Sequence, residues 1–123
     1  MNIEQALKTQ LSAIEGLNNK VFPIFAPQDT KIPYLTYSLN ATERSRDLHT
    51  NYNGLVESRY ELRLFHTNYA NLVTIRDSII TKLKTMNIGA QEIDITSDSV
   101  IYQSNVFSYQ AVIEFNIYYE EVI

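Results

Sequence analysis

The stretch VESRYELRLFH, from Val56 to His66, gives the clearest strand pattern in this 123-residue sequence. Every second residue is apolar or small, and the residues between them carry four charges of alternating sign, namely Glu57, Arg59, Glu61 and Arg63. A period of two predicts a β-strand with one buried face and one solvated face. We therefore expect Tyr60, Leu62 and Leu64 to lie in the core, and the charged residues to point outward.

Two further extended segments precede this strand. Residues 34–40 also alternate, with Leu35 and Leu39 on one side, and predict a half-buried strand. Residues 21–25, Val-Phe-Pro-Ile-Phe, are apolar, but Pro23 cannot donate to a sheet ladder, which limits this segment to an edge strand or an extended arm. Residues 41–53 are polar without any period and predict a long flexible loop, of the kind that is commonly functional or mobile.

Helical patterns flank these strands. Residues 3–14 and 68–86 each show apolar residues three or four positions apart, which predicts two amphipathic helices. Residues 92–96 and 106–119 alternate again and predict two more strands. The resulting order, α-β-β-β-α-β-β, predicts an α+β fold. We expect an antiparallel or mixed sheet of about four to five strands with both helices packed on one face.

Length and composition point to one folded domain over residues 1–123. Apolar residues make up 45% of the chain and charged residues 20%, which is typical of globular proteins. The absence of cysteine excludes a disulfide scaffold and a thiolate metal site. No apolar run approaches the roughly 20 residues that span a bilayer, and the N-terminus has no secretory pattern, so we expect no membrane partner.

Charge is divided unevenly along the chain. The formal net charge is −4, and all ten basic residues precede residue 85. Six acidic residues and no basic one follow it. This acidic part is interpreted either as a solvated surface or as a surface that meets a basic one, on a partner or on another copy of the chain. A negative total gives no general affinity for nucleic acid.

No catalytic or metal-binding constellation emerges from the sequence. With three glycines there is no phosphate-binding loop. Asp47 and His49 are the nearest approach to a ligand pair, but no third ligand lies in sequence reach. Glu57 and Glu61 are interleaved with arginines, which favours ion pairs over an acid/base pair. We therefore predict no catalytic residue, no metal and no cofactor.

The tyrosines, the apolar arm, the polar loop and the charged side of the central strand are better candidates for contacts with partner proteins than for catalysis. Nine tyrosines suit either ordinary strand packing or a second sheet face that contacts a neighbour. Interface candidates come from the apolar arm, the polar loop and the charged side of the central strand. They are Val21, Phe22, Phe25, Arg44, Arg46, Asp47, His49, Tyr52, Arg59, Glu61 and Arg63.

Several motifs, in order, resemble one known family. The run VFP, then AP, then IPYLTY over residues 21–37 resembles the arm and first strand of the tail-completion proteins of long-tailed bacteriophages and prophages, the tail-terminator or tail-to-head joining proteins. Residues 54–65 are similar to the long central strand of that family, residues 67–70 to its helix entry and residues 115–119 to its last strand. The resemblance covers nearly the whole chain and departs most over residues 90–105.

This resemblance implies an α+β subunit that forms a ring, expected to be a hexamer. Such a ring sits on the tail tube, stops its elongation and offers a docking surface to the head connector. The implied partners are further copies of the chain, the tail tube protein and a head completion or connector protein. DNA would pass through the lumen without specific binding. The implied location is the tail–neck junction of the virion, after assembly in the cytoplasm of the host bacterium.

Two alternatives stay open at this point. The chain could be another neck protein or minor tail protein of a virion. It could also be a small enzyme with its site in the loop at 41–53, which would require a convergent acid/base pair in a pocket.

Overall fold

Two helices and five strands follow one another in the predicted order. The computed structural model describes residues 3–17, 20–24, 26–27, 30–46, 52–85, 92–104 and 108–120. Its elements are α1 (Ile3–Ser12), β1 (Val21–Pro23), β2 (Tyr34–Arg46), β3 (Tyr52–His66), α2 (Tyr69–Thr85), β4 (Glu92–Gln103) and β5 (Ser108–Glu120). The predicted α+β class is confirmed.

All five strands belong to one sheet, in the order β1-β2-β3-β5-β4. β1 is parallel to β2, whereas every other pair of neighbours is antiparallel, so the sheet is mixed. The strand with the clearest pattern, β3, lies at the centre. Its apolar side chains share one core cluster with residues of both helices, which explains why one face of β3 is so strongly apolar.

The predicted register of β3 is confirmed. Leu62 pairs with Tyr37 on β2 and with Ile113 on β5, and Leu62 and Leu64 are fully buried. Arg59 and Arg63 point to the other side and are exposed. The period of two therefore assigned the side chains from Val56 to Phe65 to the correct faces.

The loop predicted over residues 41–53 is too long. β2 continues to Arg46, and β3 already begins at Tyr52. A register shift between Leu39 and Ala41 inserts an extra residue into β2, and this resets the alternation of side chains. The sequence pattern breaks at that point although the strand continues. Residues 47–51 lie outside the described residues.

The strand predicted over residues 92–96 is too short for the same reason. β4 extends to Gln103, and a register shift between Ile95 and Ser97 leaves Thr96 as an extra residue. The Thr96 hydroxyl donates a hydrogen bond to the carbonyl of Glu114 at 3.1 Å, which holds this bulge against β5. The alternation is displaced by one position after residue 96, so the sequence showed only the first half of the strand.

Both helices lie on the same side of the sheet. The apolar stripe of α2 is buried against the sheet core and consists of Leu72, Ile75, Ile79 and Leu83. Asn68 begins this helix as an N-cap, because its Oδ1 accepts a hydrogen bond from the Asn71 N–H at 3.0 Å. Within the described residues, neither helix combines the length and the apolar character that a membrane crossing needs.

The chain turns between α1 and β1 at Gly16. Its φ of +96° is in the region that L side chains rarely adopt. A Cβ at this position would also lie 3.0 Å from Cδ1 of Ile75 on α2. Gly16 therefore allows the chain after α1 to pass close against α2. α1 itself ends at Ser12, two residues before the end of the helix predicted over residues 3–14.

Candidate assembly surfaces

The side of the sheet opposite the helices carries most of the charged side chains of the strands, and we call it the open face. Cross-strand partners share a face, so Glu43, Glu57, Tyr118 and Glu92 form one row across the sheet. Over the described side chains, this face holds six carboxylates and two guanidinium groups. They are Glu43, Glu57, Glu61, Glu92, Asp94 and Glu114, with Arg59 and Arg63.

Three of these carboxylates are paired with the two arginines. Arg59 contacts Glu43 at 3.2 Å and Glu57 at 3.5 Å, and Arg63 contacts Glu61 at 3.1 Å. Exposed pairs of this kind contribute about 0–1 kcal/mol each. Their main effect is therefore to compensate charge on β2 and β3.

The remaining part of the open face is acidic. Within the described residues, no ion pair reaches Glu92, Asp94 or Glu114, which lie on β4 and β5. The open face thus has a surplus of four negative charges, concentrated toward the β4 edge. This pattern disfavours contact with phosphate groups.

The open face is apolar at the end of the sheet where β2 begins and β3 ends. Tyr34 stacks on Phe65 with ring centroids 4.7 Å apart, and Gln110 lies between Phe65 and Ile101 in the same row. Gln110 is 1% exposed, yet among the described residues neither its side-chain nitrogen nor its side-chain oxygen has a hydrogen-bond partner. An unpaired buried amide destabilises a fold by about 1–3 kcal/mol. This feature was not predictable from the sequence, because Gln110 occupies a position that the alternation predicts to be solvated.

The structure brings together the three interface candidates of the central strand. Arg59, Glu61 and Arg63 lie within one stretch of the open face and take part in the ion pairs described above. Arg44, Arg46 and Tyr52 lie on the strands of the β2–β3 hairpin, where Arg44 pairs with Val56 and Arg46 with Tyr52.

The other predicted interface residues are not brought together by the described structure. Val21 is 1% exposed and belongs to the core cluster, so its side chain is covered within the subunit. Phe22 is half-buried on β1. Phe25, Asp47 and His49 lie outside the described residues.

Exposed apolar side chains at and beside the sheet edges have no signal in the sequence pattern. The described residues include five large apolar side chains that are strongly exposed, and four of them lie near an edge: Ile24, Tyr69, Ile101 and Tyr102. Alternation indicates which side of a strand a residue faces, but it does not indicate that a strand lies at an edge. These residues therefore carried no distinguishing signal.

Ile24 follows β1 and is the most exposed of this set, at 73%. Its φ is +67°, a conformation that is an outlier for a β-branched residue and costs about 1–2 kcal/mol. The Ile24 N–H donates to the carbonyl of Tyr37 at 2.7 Å, and this bond holds the backbone in place. The chain thus holds an apolar side chain in solvent in a strained conformation.

A cluster of three tyrosines lies at the β4 edge. The ring of Tyr109 on β5 is 5.4 Å from that of Tyr69 and 4.9 Å from that of Tyr102, measured between centroids. Tyr69 and Tyr102 remain about half exposed. We call Tyr69, Tyr102 and Tyr109 the tyrosine cluster.

His66 is the one histidine among the described residues. No three His, Asp or Glu side chains among them are grouped to hold a metal ion. His66 lies at the end of β3 beside α2, where its Nδ1 accepts a hydrogen bond from the Asn68 N–H at 3.0 Å, and burial lowers the pKa of His66. Within the described part of the chain, His66 makes no hydrogen bond to a serine or a carboxylate, so no nucleophile–base pair forms there.

Comparison with solved structures shows a likeness of fold. No protein-family model and no curated protein matches the sequence. Among solved structures, a chain in the virion of a native gene transfer agent particle matches with a TM-score of 0.70, over 96% of this chain and 94% of that chain. The two chains share a fold. Their sequence identity is 13%, so the likeness concerns the architecture of the whole subunit.

Proposed function

We propose that this protein is a structural, non-enzymatic component of a phage-type virion. The observation that carries the proposal is the shared fold with a chain of a gene transfer agent virion, which extends over nearly the full length of both chains. Virion components with this architecture need surfaces for neighbours rather than an active site. The open face and the two exposed edges of the sheet supply such surfaces.

Within the virion, we propose the role of a tail terminator. Copies of the chain form a ring, expected to be a hexamer, on the last ring of the tail tube. The ring stops elongation and offers a docking surface to the head completion or connector protein. The resemblance of residues 21–37, 54–65, 67–70 and 115–119 to tail-completion proteins supports this role. The site of action would be the tail–neck junction, after assembly in the bacterial cytoplasm.

The charge of the open face supports a role around passing DNA. If the open face lines the hole of the ring, its surplus of carboxylates gives a negative lumen. Phosphate contacts from lysine and arginine are what retain nucleic acid, and here Arg59 and Arg63 are already engaged by Glu43, Glu57 and Glu61. DNA would therefore pass without being held.

Deletion of the gene from the phage or prophage that encodes it tests the proposal. Electron microscopy of lysates should show tail tubes of uncontrolled length and heads without tails, and the wild-type gene supplied in trans should restore joined particles. Tails of normal length that fail to join heads would favour another neck protein, and absent tails would favour a minor tail protein needed earlier. Normal joined particles would contradict a structural role altogether.

A further inference from the structure

We infer that two copies of this chain pair through the second half of β4, residues 99–103, and form a continuous sheet of ten strands, five from each copy. β4 is the last strand of the sheet, so one side of its backbone has no neighbouring strand. Among the described residues, no backbone hydrogen bond reaches that side. The inference goes beyond the proposed function, because it concerns free subunits and not a ring on the tail tube.

This half of β4 lacks the features that keep exposed sheet edges from pairing. Native edge strands are protected by proline, bulges, short length or charged side chains. β1 has three residues and contains Pro23, and the uncovered part of β2 beyond it is interrupted by a register shift and carries charged residues. The first half of β4 carries Asp94 and the bulge at Thr96, and Asp98 follows the bulge. Residues 99–103 have no charge, no proline and no register shift, so this part of the edge is open to another strand.

Exposed apolar side chains flank this segment on both faces of the sheet. Ile101 lies on the open face and is 46% exposed, whereas Tyr102 lies on the helix side and is 51% exposed. The tyrosine cluster extends the apolar surface on the helix side, where Tyr69 at the start of α2 is also half exposed. A strand added at this edge would cover apolar surface on both faces, and that burial stabilises the contact.

A second copy complements this segment in one antiparallel register. Cross-strand partners lie on the same face of a sheet, so a two-fold axis normal to the sheet must pass through a residue of β4. With the axis at Ile101, that residue lies opposite its own copy, Val100 lies opposite Tyr102, and Ser99 lies opposite Gln103. Apolar side chains then meet apolar ones on both faces, and a hydroxyl meets an amide. The segment is therefore complementary to itself.

The charges favour the same axis. With the axis at Ile101, the two copies of Asp98 are about 20 Å apart along the strands, so they do not oppose each other. An axis at Val100 would set Tyr102 against Asp98, and an axis at Tyr102 would set Ile101 against Gln103. Both alternatives oppose an apolar side chain to a polar one, so the register centred on Ile101 is preferred.

Single cysteines test the register, because the native chain contains none. In the inferred pair Ile101 faces its own copy, and directly opposed antiparallel residues have Cα atoms about 4.5–5.5 Å apart, a distance that a disulfide can bridge. Ser99→Cys is the matched control. Ser99 is also exposed on the open face, but its two copies would be about 13 Å apart along the strands.

Non-reducing gel electrophoresis after mild oxidation measures the covalent dimer of each variant. We expect Ile101→Cys to form at least about tenfold more covalent dimer than Ser99→Cys. Equal cross-linking of the two variants overturns the inference, as does an Ile101→Cys variant that forms no covalent dimer.

Sedimentation velocity over a range of concentrations tests the pair without a cross-link. The wild type should form dimers, and Ile101→Lys should associate at least about tenfold more weakly, because it sets two lysines directly opposite each other. Leu39→Lys is the matched control, since Leu39 is similarly exposed, at 48%, but lies on β2 at the other side of the sheet. A wild type that stays monomeric, or an equal loss of association in both variants, overturns the inference.

The salt dependence separates this contact from one held by charges. The paired segment is uncharged and each copy is negative overall, so added salt should leave the association of the wild type unchanged or strengthen it. Association that weakens as the salt concentration rises overturns the inference. None of these outcomes changes the result expected of the gene deletion, so the pair and the proposed function can fail independently.

Discussion

Glu61 on β3 lies directly opposite Glu114 on β5, so two carboxylates face each other across the centre of the open face. Arg63 contacts Glu61 at 3.1 Å, whereas no described ion pair reaches Glu114. Like charges at directly opposed positions destabilise a sheet. The pair therefore lowers the stability of the subunit while it contributes to the acidity of the face that we assign to the lumen.

Replacement of Glu114 by glutamine should stabilise the subunit. We expect Glu114→Gln to raise the free energy of unfolding by about 0.2–1 kcal/mol at low salt, because the repulsion with Glu61 is removed. The gain should shrink at high salt, where the charges are screened. Urea unfolding at two salt concentrations measures both effects. Glu92→Gln is the control, since Glu92 pairs with Tyr118 and should show a smaller change.

Truncation of Leu62 tests the central register. Leu62 is fully buried between Tyr37 and Ile113, so Leu62→Ala should lower the free energy of unfolding by roughly 2–5 kcal/mol. The neighbouring change Arg63→Ala removes an exposed side chain and should cost less than about 1 kcal/mol. Chemical denaturation of both variants gives the comparison. Equal losses would show that β3 does not present alternate residues to opposite faces.

The buried amide of Gln110 predicts a stabilising substitution. Gln110→Met keeps the length of the side chain and removes two unpaired polar atoms, so the free energy of unfolding should rise by about 1 kcal/mol. Gln103→Met is the matched control, because Gln103 is only half-buried on β4. Thermal and urea unfolding of the two variants measure the difference. A loss of stability in Gln110→Met alone would mean that the amide is paired in solution.

Protonation of His66 should weaken the fold at acidic pH. Burial lowers the pKa of His66 in the folded chain below its ordinary value of about 6.5. The unfolded chain then binds the proton more readily than the folded chain. The stability associated with neutral His66 is therefore fully present above about pH 6.5 and is lost as the pH falls toward the folded pKa. Protonation would also remove the Nδ1 acceptor that binds the Asn68 N–H.

The measurement is the free energy of unfolding from pH 8 to pH 5, for the wild type and for His66→Gln. The difference between the two proteins isolates this histidine, because the carboxylates and His49 are common to both. We expect the wild type to lose more stability than the variant below about pH 6.5. Parallel profiles would show that His66 does not couple to folding.

The central elements were predictable because their patterns are local. The alternation of β3 and the apolar stripe of α2 each determine one buried face without reference to the rest of the chain. The full lengths of β2 and β4 were not predictable in this way, because the extra residues near Asn40 and Thr96 reverse the alternation inside a continuous strand. The parallel pairing of β1 and the pairing of β3 with β5 have no local signature.

The candidate surfaces were predictable to a similar extent. Arg59, Glu61 and Arg63 followed from the pattern of β3, and the acidity of the last third of the chain was visible as composition. The exposure of Ile24 was not predictable, because it lies in an apolar run without a period, where nothing distinguishes it from the buried Val21. The exposed position of Tyr102 was not predictable, because the bulge at Thr96 interrupts the alternation before residue 102. Edge positions depend on strand order, which the sequence does not display.

Strand order also has a consequence during synthesis. β2 with β3 and β4 with β5 are hairpins between successive strands, but β3 is joined to β5 by pairs such as Leu55 with Glu120, far apart in the chain. Until β5 (Ser108–Glu120) has been synthesised, the part of the open face on β4 and β5 cannot join the part on β2 and β3. Chain entropy delays the closure of such distant pairs relative to local hairpins. A nascent chain, or one truncated before β5, therefore cannot present the complete open face, and in the tail assembly that we propose only finished subunits are available.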